Sequence, residues 1–239
     1  MTPQQRRREL KVAQILDTAE QLVLRHGVDG LTIHALARAL DYTPGALYRY
    51  FASKQAIIAE LNSRAVRRYH QLFDHVATCA AQVTSASTEQ AALLPLVATA
   101  DAFLRWSGEH PGAFAMISAT SADPRSLLAE DEAVHIPHMV ALLTALSTAI
   151  ETASDAGALD VGDSQRRAIG LIFGMIGILQ LRKLVRFTDL LTPEPLARGL
   201  AGDLFRGWGA SAEALASLVD PGAHVVDAAL AMMEDRPRR

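Results

Sequence analysis

The stretch GLTIHALARALDYTPGALYRYFASKQAII, residues 30–58, decides how this chain reads. Thr32 stands just before an apolar stripe of Ile33, Leu36, Ala37 and Leu40, where an N-cap oxygen satisfies an orphan amide of the first helical turn. Asp41-Tyr42 reads as a tight turn. Thr43 caps a second short helix that opens on Pro44, where a missing N–H costs nothing, and runs to about Tyr50. Ser53 is a third cap, ahead of a long helix from Lys54 toward Ala80. Upstream, Val12, Ile15, Ala19, Leu22 and Val23 recur at three- and four-residue steps between Arg7 and Arg25. That spacing marks an amphipathic helix, closed at His26-Gly27 with Gly27 as a left-handed cap.

Two short helices joined by a tight turn and braced by a helix on either side make a helix-turn-helix. The second short helix would enter a major groove and present its N-terminal residues to base edges. Gly45 and Ala46 lack bulk, so this helix can approach DNA closely, while Leu47 and Phe51 point inward as anchors. Thr43, Pro44, Gly45, Ala46 and Tyr50 fall nearest the bases, and Tyr48, Arg49 and Lys54 suit phosphates. Thr32 and His34 open the first short helix; His34 could reach a phosphate or base, or serve structure alone. Residues 1–70 hold 11 Lys/Arg against 6 Asp/Glu, whereas the remainder holds 12 against 20. The arm Arg6, Arg7, Arg8 heads this basic segment and adds electrostatic affinity for a polyanion.

These residues resemble the DNA-binding signature of the TetR family of bacterial transcription regulators, most strongly over about residues 8–60. Two departures are visible: Asp41 stands where the family usually has glycine, and Tyr42 replaces a small aliphatic residue. The resemblance implies an N-terminal DNA-binding domain, residues 1–55, and a helical effector-binding and dimerisation domain, residues 56–239. It implies a homodimer on palindromic operator DNA, acting as a ligand-responsive regulator, most simply a repressor. It further implies that the helix near residues 168–181 pairs with that at 193–209 across a two-fold axis, bringing Gly170, Gly174, Gly177, Leu181, Leu200 and Leu204 to the interface.

The rest of the chain supports an all-α protein. Of its 239 residues 50 % are hydrophobic but only 5 % aromatic, and alternating β-branched runs are missing. One cysteine, Cys79, excludes a disulfide framework and fits a reducing, cytoplasmic setting. No apolar leader heads the chain, and the uncharged run AIGLIFGMIGILQL, residues 168–181, falls short of the ~20 residues that span a bilayer, so no membrane partner is expected. That run is apolar nearly all round and reads as buried on several sides. Further helices are expected near 89–106, from Pro111, and over 126–134, 137–153, 164–186 and 193–209.

Catalytic and phosphate-cradling motifs are missing, so no enzyme and no cofactor is expected. Glu132, His135 and His138 are spaced by three, but Pro137 interrupts them, and pocket or surface roles suit the histidines better than a metal. The apolar excess of the second domain suits a small hydrophobic or amphipathic effector. Phe103, Trp106, Phe114, Met116, His138, Met139, Leu142, Phe173 and Gln180 are the expected lining, with Arg105 or Arg182 for an anionic end. Two other readings compete: a family member without an effector, and a helical enzyme or carrier whose N-terminal unit only scaffolds.

Overall fold

The computed structural model describes residues 2–85, 87–122, 136–183 and 192–234. Among these, every regular element is helical. The chain divides into two compact units, Met1–Arg67 with Glu109–Met139, and Arg68–Gly108 with Val140–Arg239.

The first unit holds α1 (Pro3–Gly30), α2 (Ile33–Ala39), α3 (Pro44–Leu47), the first part of α4 (Lys54–Ala80) and α6 (Pro111–Ala122). Its core gathers Ile15, Leu16, Ala19 and Val23 of α1, Leu36 and Ala37 of α2, Leu47, Phe51, and Ile57 and Leu61 of α4. Val12, Leu22, Ile33 and Leu40 are partly buried against it, so the expected stripes face where their spacing predicts. α1 starts four residues earlier than periodicity alone indicated, because Thr2 closes a capping box with Gln5. Gly27 does take a positive φ of 73°, yet the chain then makes one more turn to Gly30. α6 packs on α1, and its Met116 sits at 1 % exposure within this core. Met116, expected among the lining of an effector cavity, thus packs in the core of the first unit. The boundary expected at residue 55 falls inside α4, which continues without a break to Ala80.

The second unit holds the rest of α4, α5 (Thr88–Glu109), most of α7 (Ile136–Asp155), α8 (Ser164–Leu179), α9 (Pro193–Gly207), α10 (Ala212–Ser217) and α11 (Val219–Glu234). Tyr69, Phe103 and Trp106 form an aromatic cluster, the Tyr69 and Phe103 centroids 4.9 Å apart. Burial raises the Tyr69 phenol above its ordinary pKa, and its hydroxyl donates to the Thr99 carbonyl at 3.4 Å. α7 is, by length and composition alone, apolar enough to cross a membrane, but Leu142, Leu146, Ile150 and Ala153 are buried within the protein.

α8 and α9 pack against each other. The run expected to be buried on several sides divides into a buried and an exposed face in α8. Ala168, Leu171, Ile172, Met175, Ile176 and Leu179 are buried, while Ile169 and Phe173 are 47 % and 38 % exposed on the face that also carries Gly170 and Gly177. The helix expected over 126–134 lies outside the described residues, as do Glu132 and His135.

Candidate nucleic-acid interface

Every N-cap read from the sequence forms. The Thr32 hydroxyl oxygen accepts from the Ala35 amide at 3.0 Å, Thr43 from Ala46 at 3.2 Å, and Ser53 from Ala56 at 3.0 Å. These bonds fix where α2, α3 and α4 begin, and each leaves its hydroxyl proton available as a donor. Between α2 and α3, Asp41 takes φ +54°, the left-handed conformation for which glycine is the usual choice. The Tyr42 amide donates to the Ala37 carbonyl at 2.8 Å and closes the turn. Changing Asp41 to Val should destabilise the protein by roughly 1–2 kcal/mol, because a β-branched residue pays the full left-handed penalty. Asp41→Gly should unfold close to wild type, and thermal melts of the two variants check the difference.

α3 is shorter than expected, ending at Leu47 with turns through Tyr50. Leu47 is fully buried and Phe51 nearly so, which makes them the anchors the sequence indicated. Around them the expected DNA-facing residues come to the surface. Thr43, Gly45, Tyr48 and Arg49 are exposed, and Pro44, Ala46 and Tyr50 half-buried. Tyr48 stands 54 % open, and nothing lies within 4 Å of the place where Gly45 would carry a Cβ. Thr32 and His34 are exposed at the start of α2, and Lys54 is the half-buried first residue of α4. An open cleft of about 740 Å³ borders the turn, with His26, His34, Arg38 and Tyr42 among its lining. Arg6, Arg7 and Arg8 are exposed too, but they lie on the first turns of α1. The arm is a helix.

Sequence reasoning passed over Lys11. Its ammonium sits over the Tyr42 ring, 5.7 Å from the centroid. The only signal was spacing, three and four residues beyond Arg8 and Arg7 on one helix face.

Residues 15–61 match the family described as bacterial regulatory proteins, tetR family. The matched segment runs from the middle of α1 into the first turns of α4 and takes in α2 and α3 whole. The helix-turn-helix of α2 and α3 is thus similar to the segment that defines these regulatory proteins. An uncharacterized HTH-type transcriptional regulator, YobS of Bacillus subtilis (strain 168), is 29 % identical over 120 residues, covering 50 % of this chain and 58 % of that relative. The chain thus matches little more than half the length of this curated relative. The fold extends the likeness. The fatty acid degradation regulator FadR from Bacillus halodurans superposes with a TM-score of 0.63 at 16 % identity, over 84 % of this chain and 97 % of that one. SmeT, the repressor of the Stenotrophomonas maltophilia multidrug efflux pump SmeDEF, gives 0.57 at 20 %, over 80 % and 87 %. Both identities are low enough that they speak for a TetR-like fold alone.

The residues expected around an effector divide between the two units. Phe114, His138 and Met139 fall with Met116 in the first; Phe103, Arg105, Trp106, Leu142, Phe173, Gln180 and Arg182 fall in the second. Neither expected anion receptor stands open. Arg105 is ion-paired to Asp227, and Arg182 donates to the Glu194 carboxylate at 2.7 Å and to the Ser107 carbonyl at 2.9 Å. Of the expected interface residues, Gly170 and Gly177 open onto solvent, while Leu181, Leu200 and Leu204 are half-buried. Gly174 differs: a Cβ there would meet Leu200 Cδ2 of its own chain at 2.9 Å.

Proposed function

We propose that this protein is a homodimeric, effector-controlled regulator that binds a palindromic operator, with repression as its simplest output. The observation that carries the DNA half is the helix-turn-helix itself. Three capped helix starts present Thr43, Gly45, Tyr48 and Arg49 outward while Leu47 and Phe51 are buried behind them. The dimer half rests on the exposed apolar stripe of α8, Ile169 and Phe173 with Gly170 and Gly177, joined on α9 by Leu196 at 44 % exposure. A single chain leaves this surface in water, and a second copy would cover it isologously. Phe173 belongs, in this reading, to the interface and not to a cavity.

The effector half rests on the apolar interior of the second unit, around Phe103, Trp106 and Leu142. A mainly hydrophobic or amphipathic molecule suits that lining, and an anionic end would have to displace Glu194 from Arg182 or Asp227 from Arg105. Such a ligand releases DNA only by binding more tightly to the dimer form whose reading heads are misaligned. No chemical reaction is assigned to the protein, and a regulator of this kind works in the cytoplasm.

A mobility-shift titration against the DNA flanking the protein's own gene, with and without a panel of apolar compounds, tests this function. Binding that any active compound weakens supports it. Binding that no compound alters leaves a regulator without an effector, and no binding at all removes the reading. Within the same assay, Lys54→Ala should weaken specific and mixed-sequence duplexes alike and lower the salt slope by roughly 0.9. Tyr48→Phe, which removes only a hydroxyl, should cost about 1 kcal/mol of affinity if that group bonds a phosphate.

A further inference from the structure

Lys11 is held in an unusual way. Its ammonium lies over the Tyr42 ring at 5.7 Å and donates to Gln14 Oε1 at 3.2 Å. Both seats are uncharged groups. The arginines of α4 that border α1 in the same unit are neutralised: Arg64 pairs with Asp17, and Arg67 with Glu60. Among the described residues no carboxylate pairs with Lys11. The contact with Tyr42 also favours its protonated form, chiefly through hydrogen bonding. Lys11 is exposed, whereas Tyr42 is half-buried against the helix-turn-helix core, one residue before the Thr43 cap that starts α3. Arg7 and Arg8 lie one turn away on the same face of α1.

We infer that Lys11 contacts a DNA phosphate and that Tyr42 is its positioning residue. This rests on the DNA-binding reading above. A lysine carries a point charge on a flexible four-carbon stem, and the negative face of an aromatic ring restrains it without cancelling that charge. With Gln14 and the Tyr42 hydroxyl each taking one of the three ammonium donors, one remains for a phosphate oxygen. An aliphatic side chain at position 42 would cover the turn equally well but would offer the ammonium no seat. The aromatic residue at this place in the turn therefore has two jobs, and only one of them is packing.

The test is a fluorescence-anisotropy titration of the full chain with a labelled mixed-sequence duplex over a series of salt concentrations. A phosphate contact is independent of sequence, so the operator need not be known. Lys11→Ala should lower the slope of log affinity against log salt by roughly 0.9, with an unchanged thermal melt because the side chain is exposed. Tyr42→Leu should weaken binding several-fold while keeping the wild-type slope, since the charge is still present but unplaced. Tyr42→Phe, which keeps the ring but loses the hydroxyl, should recover only part of that affinity. The double variant Lys11→Ala with Tyr42→Leu should bind no more weakly than Lys11→Ala alone. A wild-type slope in Lys11→Ala overturns the phosphate contact. An additive double variant overturns the positioning role, because a purely structural Tyr42 would weaken binding without Lys11 as well. If the wild-type chain binds no duplex at any salt, the DNA-binding reading itself has failed, an outcome distinct from either.

Discussion

If α8 joins two copies as proposed, Gly170→Glu should turn a two-chain particle into a folded single chain. Nothing lies within 4 Å of the position a Cβ would take at Gly170, so the substitution meets no atom of its own protomer. Within α8 it replaces a poor helix former by a good one, a change favourable by up to about 1 kcal/mol. The monomer therefore keeps its fold. What changes is the stripe of Ile169, Phe173 and Gly177, which gains a carboxylate at its centre. Burying that charge against a second apolar stripe without a partner costs several kcal/mol, about the scale of a modest interface. Losing the second reading head then removes an effective-concentration gain of roughly 10²–10⁴ in operator affinity. Light scattering reads the mass and a mobility shift the affinity. A dimer of wild-type mass in Gly170→Glu would move the interface off α8. Gly174 is the wrong place for this experiment, because a side chain there collides with Leu200 of the same chain and confuses folding with assembly.

The second large effect is expected at Leu47. α3 has four residues, far too few to persist as an isolated helix. Its Thr43 cap and the burial of Leu47 and Phe51 keep it in place. Leu47→Ala should cost about 2–5 kcal/mol, since the side chain is fully buried in a small core that cannot readily collapse around the gap. Set against a total stability of about 5–15 kcal/mol, that lowers the melting temperature by many degrees. If residues 43–50 read the bases as proposed, specific DNA binding should fall more than the melt alone explains, because their presentation is no longer fixed. Tyr48→Ala is the matched control: half-exposed, it should change stability by no more than about 0.5 kcal/mol. Unfolding of Leu47→Ala at the wild-type temperature would show that α3 is held by something else.

What could be read from the chain, and what could not, divides by sequence distance. Thr32, Thr43 and Ser53 each cap an amide three residues on, so their role is written in the local pattern. Asp41 was legible through the resemblance, since it stands where the family usually has glycine, and it takes the left-handed conformation. Helix stripes placed Ile15, Ala19, Val23, Leu36 and Leu47 in the core without knowledge of their neighbours. Apart from the Thr2–Gln5 capping box and the early end of α3, the unread features involve partners far along the chain. Arg105 meets Asp227 at a separation of 122 residues, and Arg182 meets Ser107 at 75. Nothing in either neighbourhood announces these pairs, so both arginines read as open to a ligand. The apolar pattern of α6 likewise does not say which core Met116 enters; contact with α1 decides that. Phe173 and the two open glycines lie on a helix so apolar that its exposed face cannot be told from its buried one before α9 takes one side.

The capping box at Thr2 has a thermodynamic corollary. The Thr2 amide donates to Gln5 Oε1 at 2.7 Å, and the Gln5 amide donates to the Thr2 hydroxyl oxygen at 3.2 Å. Arg6, Arg7 and Arg8 are thus ordered before any nucleic acid arrives. A disordered basic arm loses about 1–2 kcal/mol of backbone entropy for each residue it fixes on docking, and its folding adds to the heat-capacity change of binding. A helical arm loses little of either. Calorimetry of the full chain on DNA should accordingly show a heat-capacity change no larger than rigid docking of preformed surfaces produces. Replacing both Thr2 and Gln5 by glycine should make it more negative, as the loosened first turns come to fold upon the duplex.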